Sequence, residues 1–159
     1  MKELLHFLWL LVFRAQFAKS RAAMSLEIKS DLELIDWEQL AHVYRRAFEG
    51  IQSAELMKTV FHNSYATRIA LWNGEVVGGV YAFSDGVLDA TIHGLAVNPE
   101  FQKRGIGRAL MEALMSEFGS NIAVLLTAEL QHQVIYRKFG FRPLKTAMAL
   151  GFPAQDLED

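Results

Sequence analysis

From Leu26 to Leu34 the stretch LEIKSDLEL alternates apolar and polar residues, which predicts a strand with one buried face. Asp36 then stands as a helix cap with Gln39 in the position of the return bond, and Trp37, Leu40, Ala41, Tyr44 and Phe48 recur at helical spacing up to Gly50. Ser53 opens a second helix that runs to His62. Thr67 to Trp72, the dipeptide Asn73-Gly74 and Glu75 to Phe83 read as two strands joined by a tight hairpin, since Asn-Gly suits a turn with positive φ at both centres. Asp85-Gly86 repeats that chemistry. Val87 to Val97 (VLDATIHGLAV) is therefore a third strand, antiparallel to the second, and Gly94 within it marks a bulge or a close backbone approach.

Beyond Asn98-Pro99 the loop EFQKRGIGRAL leads into a helix whose apolar face is Ile106, Ala109, Leu110, Ala113, Leu114 and Phe118, closing at Gly119. Ile122 to Leu126 (IAVLL) is a short apolar run, as expected for a strand covered on both faces. Strand, crossover helix and strand make a parallel βαβ unit. Gln133 to Phe139 supplies a last short helix, stopped by Gly140, and Thr146 to Gly151 a final strand. The fold class is thus α/β with a mixed sheet: antiparallel N-terminal strands followed by a parallel βαβ unit.

Composition narrows this further. In 159 residues, 52% are hydrophobic, enough for one sizeable core and too short a chain for two. A net charge of −2 gives no global attraction to nucleic acid or to an anionic membrane, so any anion must be held by a local cluster. With no cysteine there are no disulfides, thiolate metal sites or cysteine nucleophile. The five histidines form no His-x-x-x-His pair, and no Gly-x-Ser-x-Gly elbow occurs, which argues against metal and serine-hydrolase chemistry.

The first 23 residues read differently. Leu4 to Phe13 is a ten-residue apolar run ended by Arg14, half of the roughly 20 residues that cross a bilayer, so no transmembrane segment is expected. It loosely resembles a secretory signal; the alternative is an extension, 1–23, ahead of a working domain over 24–159 that begins at Met24.

The loop before the long helix carries the chemistry. Free N–H groups and a partial positive charge at a helix start suit phosphate oxygens, and Gly105 and Gly107 withhold side chains that would keep an anion away. Gln102, Lys103, Arg104 and Arg108 add donors and local positive charge, so a diphosphate is the natural guest. The competing reading is a tight strand-to-helix turn with a solvated basic rim. A dinucleotide fingerprint fails because its third glycine position is Leu110, and the Gly-Lys-Ser/Thr of a triphosphate loop is absent.

Taken with its context, strand LAV, Asn98-Pro99, Gln-x-x-Gly-x-Gly, helix, apolar strand and then Ile135-Tyr136-Arg137-Lys138-Phe139-Gly140-Phe141, the chain resembles the GNAT superfamily of acyl-CoA N-acyltransferases from Met24 onward. The resemblance implies a cytoplasmic N-acetyltransferase that moves the acetyl group of acetyl-CoA directly to a primary amine of a small molecule or peptide. It implies no nucleic acid partner, and a homodimer stays open. By the same resemblance Gln102, Lys103, Arg104, Gly105, Ile106, Gly107 and Arg108 anchor the cofactor, and main-chain groups of Leu95, Ala96 and Val97 align it, with a nearby N–H polarising the thioester carbonyl.

Tyr136 holds the family's acid position and would protonate the departing thiolate; its other reading is an aromatic plug beside Val134, Ile135 and Phe139. The glutamate that many members carry on the strand before the loop is missing from Ala90-Thr91-Ile92-His93-Gly94. His93 is the substitute base or else a hydrogen-bonded structural histidine, with Glu129 and Asp89 as weaker candidates. The family's frequent asparagine ahead of the last helix is not evident in Ala128 to His132. Tyr44, Phe48, Phe61, His62 and Tyr81 are available to wall an acceptor pocket, although such spacing also suits a core. A noncatalytic CoA-binding module is the alternative to the enzyme.

Overall fold

The computed structural model describes residues 25–48, 50 and 52–148. Its contacts divide the chain after Leu126 into two units. The first unit holds one sheet in the order β1 (Leu26–Lys29), β2 (Ala66–Trp72), β3 (Glu75–Ser84), β4 (Asp89–Val97) and β5 (Ala123–Leu126). The first four strands run antiparallel and β5 lies parallel to β4, the mixed sheet that the sequence pattern predicts. Its helices are α1 (Trp37–Ala47), α2 (Ala54–His62) and α3 (Ile106–Met115).

Two adjacent glycines show how the layers sit. A Cβ on Gly79 would meet Leu40 and Tyr44 of α1 and Phe61 of α2 at 3.1–3.3 Å, whereas one on Gly78 would meet Leu110 of α3 at 3.1 Å and the Ala96 carbonyl at 2.8 Å. Neighbouring strand residues face opposite sides, so α1 and α2 cover one face of the sheet and α3 the other. Leu40, Val43, Phe61, Ile69, Val77, Val80, Ile106, Leu110, Met111 and Leu114 are fully buried between these layers. Each of the larger side chains contributes about 1.5–3 kcal/mol by leaving water.

Side-chain chemistry sets most boundaries. Asp36 Oδ1 accepts from Gln39 N–H at 3.0 Å and Ser53 Oγ from Leu56 N–H at 3.1 Å, so both predicted caps form. The return bond from Gln39 does not. Its Oε1 accepts instead from Val76 N–H at 2.9 Å, tying α1 to the start of β3. Helix α1 stops at Ala47 rather than running to Gly50, because Phe48 turns extended. Asn73 and Gly74 take φ of +53° and +85°, as the hairpin requires.

Several predicted elements are shorter. Strand β1 ends at Lys29, not Leu34, because Asp31 accepts from Glu33 N–H at 2.8 Å in a local turn and Leu34 takes φ +59° in solvent. Strand β4 begins at Asp89, not Val87, since the Asp85 carboxylate gathers the N–H groups of Val87, Leu88 and Asp89 into a wider turn. Helix α3 closes at Met115 rather than Gly119, with Ser116 Oγ donating to the Ala113 carbonyl at 2.8 Å. Met111, absent from the predicted face, is buried, while Ala109 and Ala113 are half-buried. Strand β5 is not covered on both faces: it is the last strand in the sheet order, with Ala123 and Leu125 exposed.

The second unit carries a 3₁₀ turn at Leu130–His132 and α4 (Gln133–Arg137), and Gly140 at φ +88° ends the helical run. Residues 146–148 form no strand; the remainder of the predicted final strand, like 1–23, lies outside the described residues. Among the described residues no helix is long and apolar enough to cross a membrane. Nor do they hold a cluster of three or more His, Asp or Glu that could bind a metal ion.

Candidate active site

Strand β4 pairs with β5 only from Asp89 to Ile92, opposite Ala123 to Leu126. From His93 to Val97 its outer edge has no strand partner among the described residues, which leaves main-chain groups of Leu95, Ala96 and Val97 without a strand on one side, the Val97 carbonyl being taken by Gln102. Opposite β3 the register breaks between Gly79 and Tyr81, and neither Gly94 nor Leu95 has a paired residue there. This is the predicted bulge. Gly94 takes φ +60°, and a Cβ on it would come within 2.6 Å of Tyr81.

The chain leaves β4 through Asn98, which is buried. Its N–H donates to the Val77 carbonyl at 2.8 Å and its Oδ1 accepts from Glu100 N–H at 3.3 Å, opening a short 3₁₀ turn, Pro99–Phe101. Arg46 of α1 reaches Glu100 at 2.7 Å, and Gln102 Nε2 donates to the Val97 carbonyl at 3.1 Å. These bonds fix the loop before it meets α3. Gln102 opens the Gln-x-x-Gly-x-Gly motif and Asn98 stands out by preceding a proline, but the partners these residues take, and the Arg46–Glu100 pair, are not signalled by any motif.

Unlike α1 and α2, helix α3 has no capping side chain. Its N-cap is Gly105 at φ +82°, and the first helical bond is Ala109 N–H to the Gly105 carbonyl at 3.0 Å. The N–H groups of Ile106, Gly107 and Arg108 therefore lack a helical acceptor. Lys103 and Gly105 both adopt positive φ, a backbone arrangement that turns successive N–H groups toward one concavity. A Cβ at Gly105 would meet nothing within 4 Å, and one at Gly107 only Val97 at 3.6 Å. Packing does not demand a glycine at 107, where it weakens the helix by about 1 kcal/mol relative to alanine.

The side chains expected to add donors and charge here are in part committed to other partners. The Arg104 guanidinium lies 5.3 Å from the ring centres of both Trp72 and Phe101 and donates to the Glu100 carbonyl. Arg108 Nε donates to Glu112 Oε1 at 2.7 Å, an exposed pair that raises the guanidinium pKa through hydrogen bonding and charge. Among the described residues Lys103 keeps its ammonium without a partner. At the start of α3, peptide N–H groups rather than guanidinium forks are the donors left without a protein acceptor.

His93 sits in β4 directly opposite Tyr81, its ring stacked on the tyrosine at 5.8 Å and tilted against Phe83 at 5.4 Å. Neither ring nitrogen has a protein hydrogen-bond partner among the described residues. Burial pushes its pKa below the ordinary value. Asp89 begins β4, four residues away, within the Asp85 turn.

Of the aromatic residues available for a pocket wall, Tyr44 and Phe61 are buried core, edge to face at 5.9 Å. His62 is bonded to the Lys58 carbonyl at 2.8 Å, and Tyr81 packs on Phe61 at 5.5 Å. Phe48 is exposed beyond the end of α1. In the second unit, Tyr136 lies on α4 with its ring edge toward Phe141 at 6.3 Å, and burial raises its phenol pKa. Glu129 stands just before the 3₁₀ turn of that unit.

The family model for the acetyltransferase (GNAT) domain matches residues 62–143, just over half of the chain. The chain is 29% identical over 118 residues to the [ribosomal protein bS18]-alanine N-acetyltransferase of Escherichia coli K12, covering 70% of this chain and 78% of that protein. The crystal structure of the E. coli ribosomal-protein-S18-alanine N-acetyltransferase superposes with a TM-score of 0.64 at 24% identity, over 76% of this chain and 80% of that one. A GNAT family acetyltransferase from Streptococcus pneumoniae superposes with a TM-score of 0.67 at 27% identity, over 81% and 96% of the two chains. A mixed five-stranded sheet, an uncapped helix start behind Gln-x-x-Gly-x-Gly and these matches lead to one conclusion: the chain belongs to the GNAT acetyltransferase family and is an N-acetyltransferase.

Proposed function

We propose that the chain acetylates the terminal amine of a peptide, with acetyl-CoA held between the free edge of β4 and the start of α3. The observation that carries this reading is the uncapped α3 N-terminus, with open space over Gly107 where packing requires none. The similarity to an enzyme named for an alanine of a ribosomal protein favours a peptide acceptor over a small amine. A cytoplasmic location goes with such an acceptor. The catalytic domain is assigned to 24–159, with 1–23 as an extension.

Bound acetyl-CoA would supply an activated acyl group as a thioester. The N–H groups of Lys103, Arg104, Gly105, Ile106 and Gly107 take the diphosphate oxygens, with Gln102 bracing the loop and Lys103 and Arg108 adding charge. Leu95, Ala96 and Val97 offer main-chain groups to the pantetheine amides. His93, neutral at pH 7 because burial lowers its pKa, takes a proton from the acceptor ammonium, directly or through water. The freed amine forms the C–N bond as the C–S bond breaks, and the cationic nitrogen of the adduct passes its second proton to water. Tyr136 then gives its phenolic proton to the departing thiolate; burial raises its pKa, so it remains an acid throughout the working range.

The test is thiol release from acetyl-CoA with an alanine-terminated peptide and with a panel of small primary amines. The peptide is expected to give at least a tenfold higher kcat/KM, about 1.4 kcal/mol of discrimination. Equal or better turnover of a small amine would overturn the peptide assignment. Tight uptake of acetyl-CoA without thiol release to any amine would refute the proton-transfer roles.

A further inference from the structure

Gly94 and Leu95 have no paired residue in β3, and β5 stops pairing at Ile92, so the peptide between them has no ladder partner on either side. What holds it is a side chain from across the sheet face: Tyr44 of α1 donates its hydroxyl to the Gly94 carbonyl at 2.6 Å. Packing alone does not need that oxygen. The Tyr44 ring is buried against Phe61 at 5.9 Å and Phe48 at 5.7 Å, contacts a phenylalanine would keep. Burial, and then the neighbouring Tyr81, hold the phenol pKa well above its ordinary value, so the hydroxyl is always a donor.

The consequence for Leu95 is geometric. No cis peptide bond occurs among the described residues, and a trans peptide directs its N–H opposite to its C=O. With the Gly94 carbonyl turned toward Tyr44, the Leu95 N–H points away from α1. Gly94 is the residue that permits this, because its φ of +60° and the 2.6 Å approach of Tyr81 exclude a side chain.

We propose that Tyr44 is a positioning residue for acetyl transfer: its hydroxyl clamps the Gly94–Leu95 peptide and thereby aims the Leu95 N–H at the thioester carbonyl oxygen. This rests on the reading that β4 receives the acyl end of acetyl-CoA. A donor fixed before the reaction stabilises the charge that develops on that oxygen without reorganising. A clamp of this kind acts on kcat and hardly on cofactor affinity, because the diphosphate is held elsewhere, at the start of α3.

The experiment compares full-length wild type and Tyr44→Phe with acetyl-CoA and the alanine-terminated peptide. Tyr44→Phe is expected to lower kcat about tenfold or more, with the KM for acetyl-CoA and the Kd for CoA within about twofold. The infrared carbonyl stretch of bound acetyl-CoA should move back toward its free value. A kcat within twofold of wild type, or an unchanged carbonyl stretch, overturns the clamp while leaving acetyl transfer intact. A wild type that never releases thiol overturns the acetyl-transfer reading and the clamp with it. Should Tyr44→Phe not fold, 3-fluorotyrosine at position 44 keeps the ring and strengthens the donor; kcat and carbonyl stretch must then shift, and constancy of both overturns the proposal.

Discussion

At the scale of single residues, the proposed proton chemistry depends on two groups, His93 and Tyr136, that burial shifts in opposite directions. The His93 pKa lies below the ordinary imidazole value of about 6.5 and the Tyr136 pKa above the ordinary phenol value of about 10. Each therefore stays in the form that the proposed mechanism needs, a neutral imidazole and a protonated phenol, across a wide neutral range. The pH profile of kcat/KM should accordingly lose activity on the acid side only below about pH 6.5. His93→Gln should remove that limb, and Tyr136→Phe should lower kcat about a hundredfold with CoA affinity unchanged. Normal turnover in Tyr136→Phe would refute its acid role. The same His93 shift bears on folding. Above pH 6.5 the imidazole is neutral in both states and contributes nothing; as pH falls the unfolded chain takes the proton first, so stability declines until the folded pKa is passed.

Elements were legible where one or two residues dictate backbone geometry. Asp36 and Ser53 announce helix starts, and Asn73-Gly74 announces a turn, because the signal and its effect lie within four residues. Elements were misjudged where a side chain took another partner: Gln39 bonds Val76 rather than its own helix, and Asp31 and Asp85 curl segments whose apolar alternation promised strand. The α3 start belongs to the legible class, since glycines at 105 and 107 made its open backbone foreseeable. Gly107→Trp should raise the Kd for CoA at least a hundredfold while the protein still unfolds cooperatively near the wild-type temperature, because the new ring enters open space. Undiminished CoA binding by titration calorimetry would remove the socket.

Across the first unit, a buried charge links the sheet to the end of α3. Arg68, 7% exposed in β2, donates to the Thr67 carbonyl at 2.7 Å and pairs with Glu117, just past the end of α3. Arg68→Met should destabilise the fold by about 1–3 kcal/mol, as expected when buried hydrogen bonds are removed. Glu117→Gln, altering the half-exposed partner, should cost less than about 1 kcal/mol. Chemical denaturation midpoints decide this, and equal losses in both variants would contradict the burial argument. Such a pair is invisible along the chain, where its members stand 49 residues apart.

The order of the elements from β1 to α4, the mixed α/β pattern and the uncapped glycine start of α3 were written in the sequence. Each depends on spacing within a turn or a strand, or on a motif kept as a contiguous run. Only the tertiary structure decided that Arg104 lies on Trp72 and Phe101, that Arg46 braces Glu100, that β4 parts from β5 after Ile92, and that the Tyr44 hydroxyl grips Gly94. These contacts join residues far apart in the chain, and their partners are chosen by which surfaces the sheet and helices bring together, a choice that no local pattern encodes.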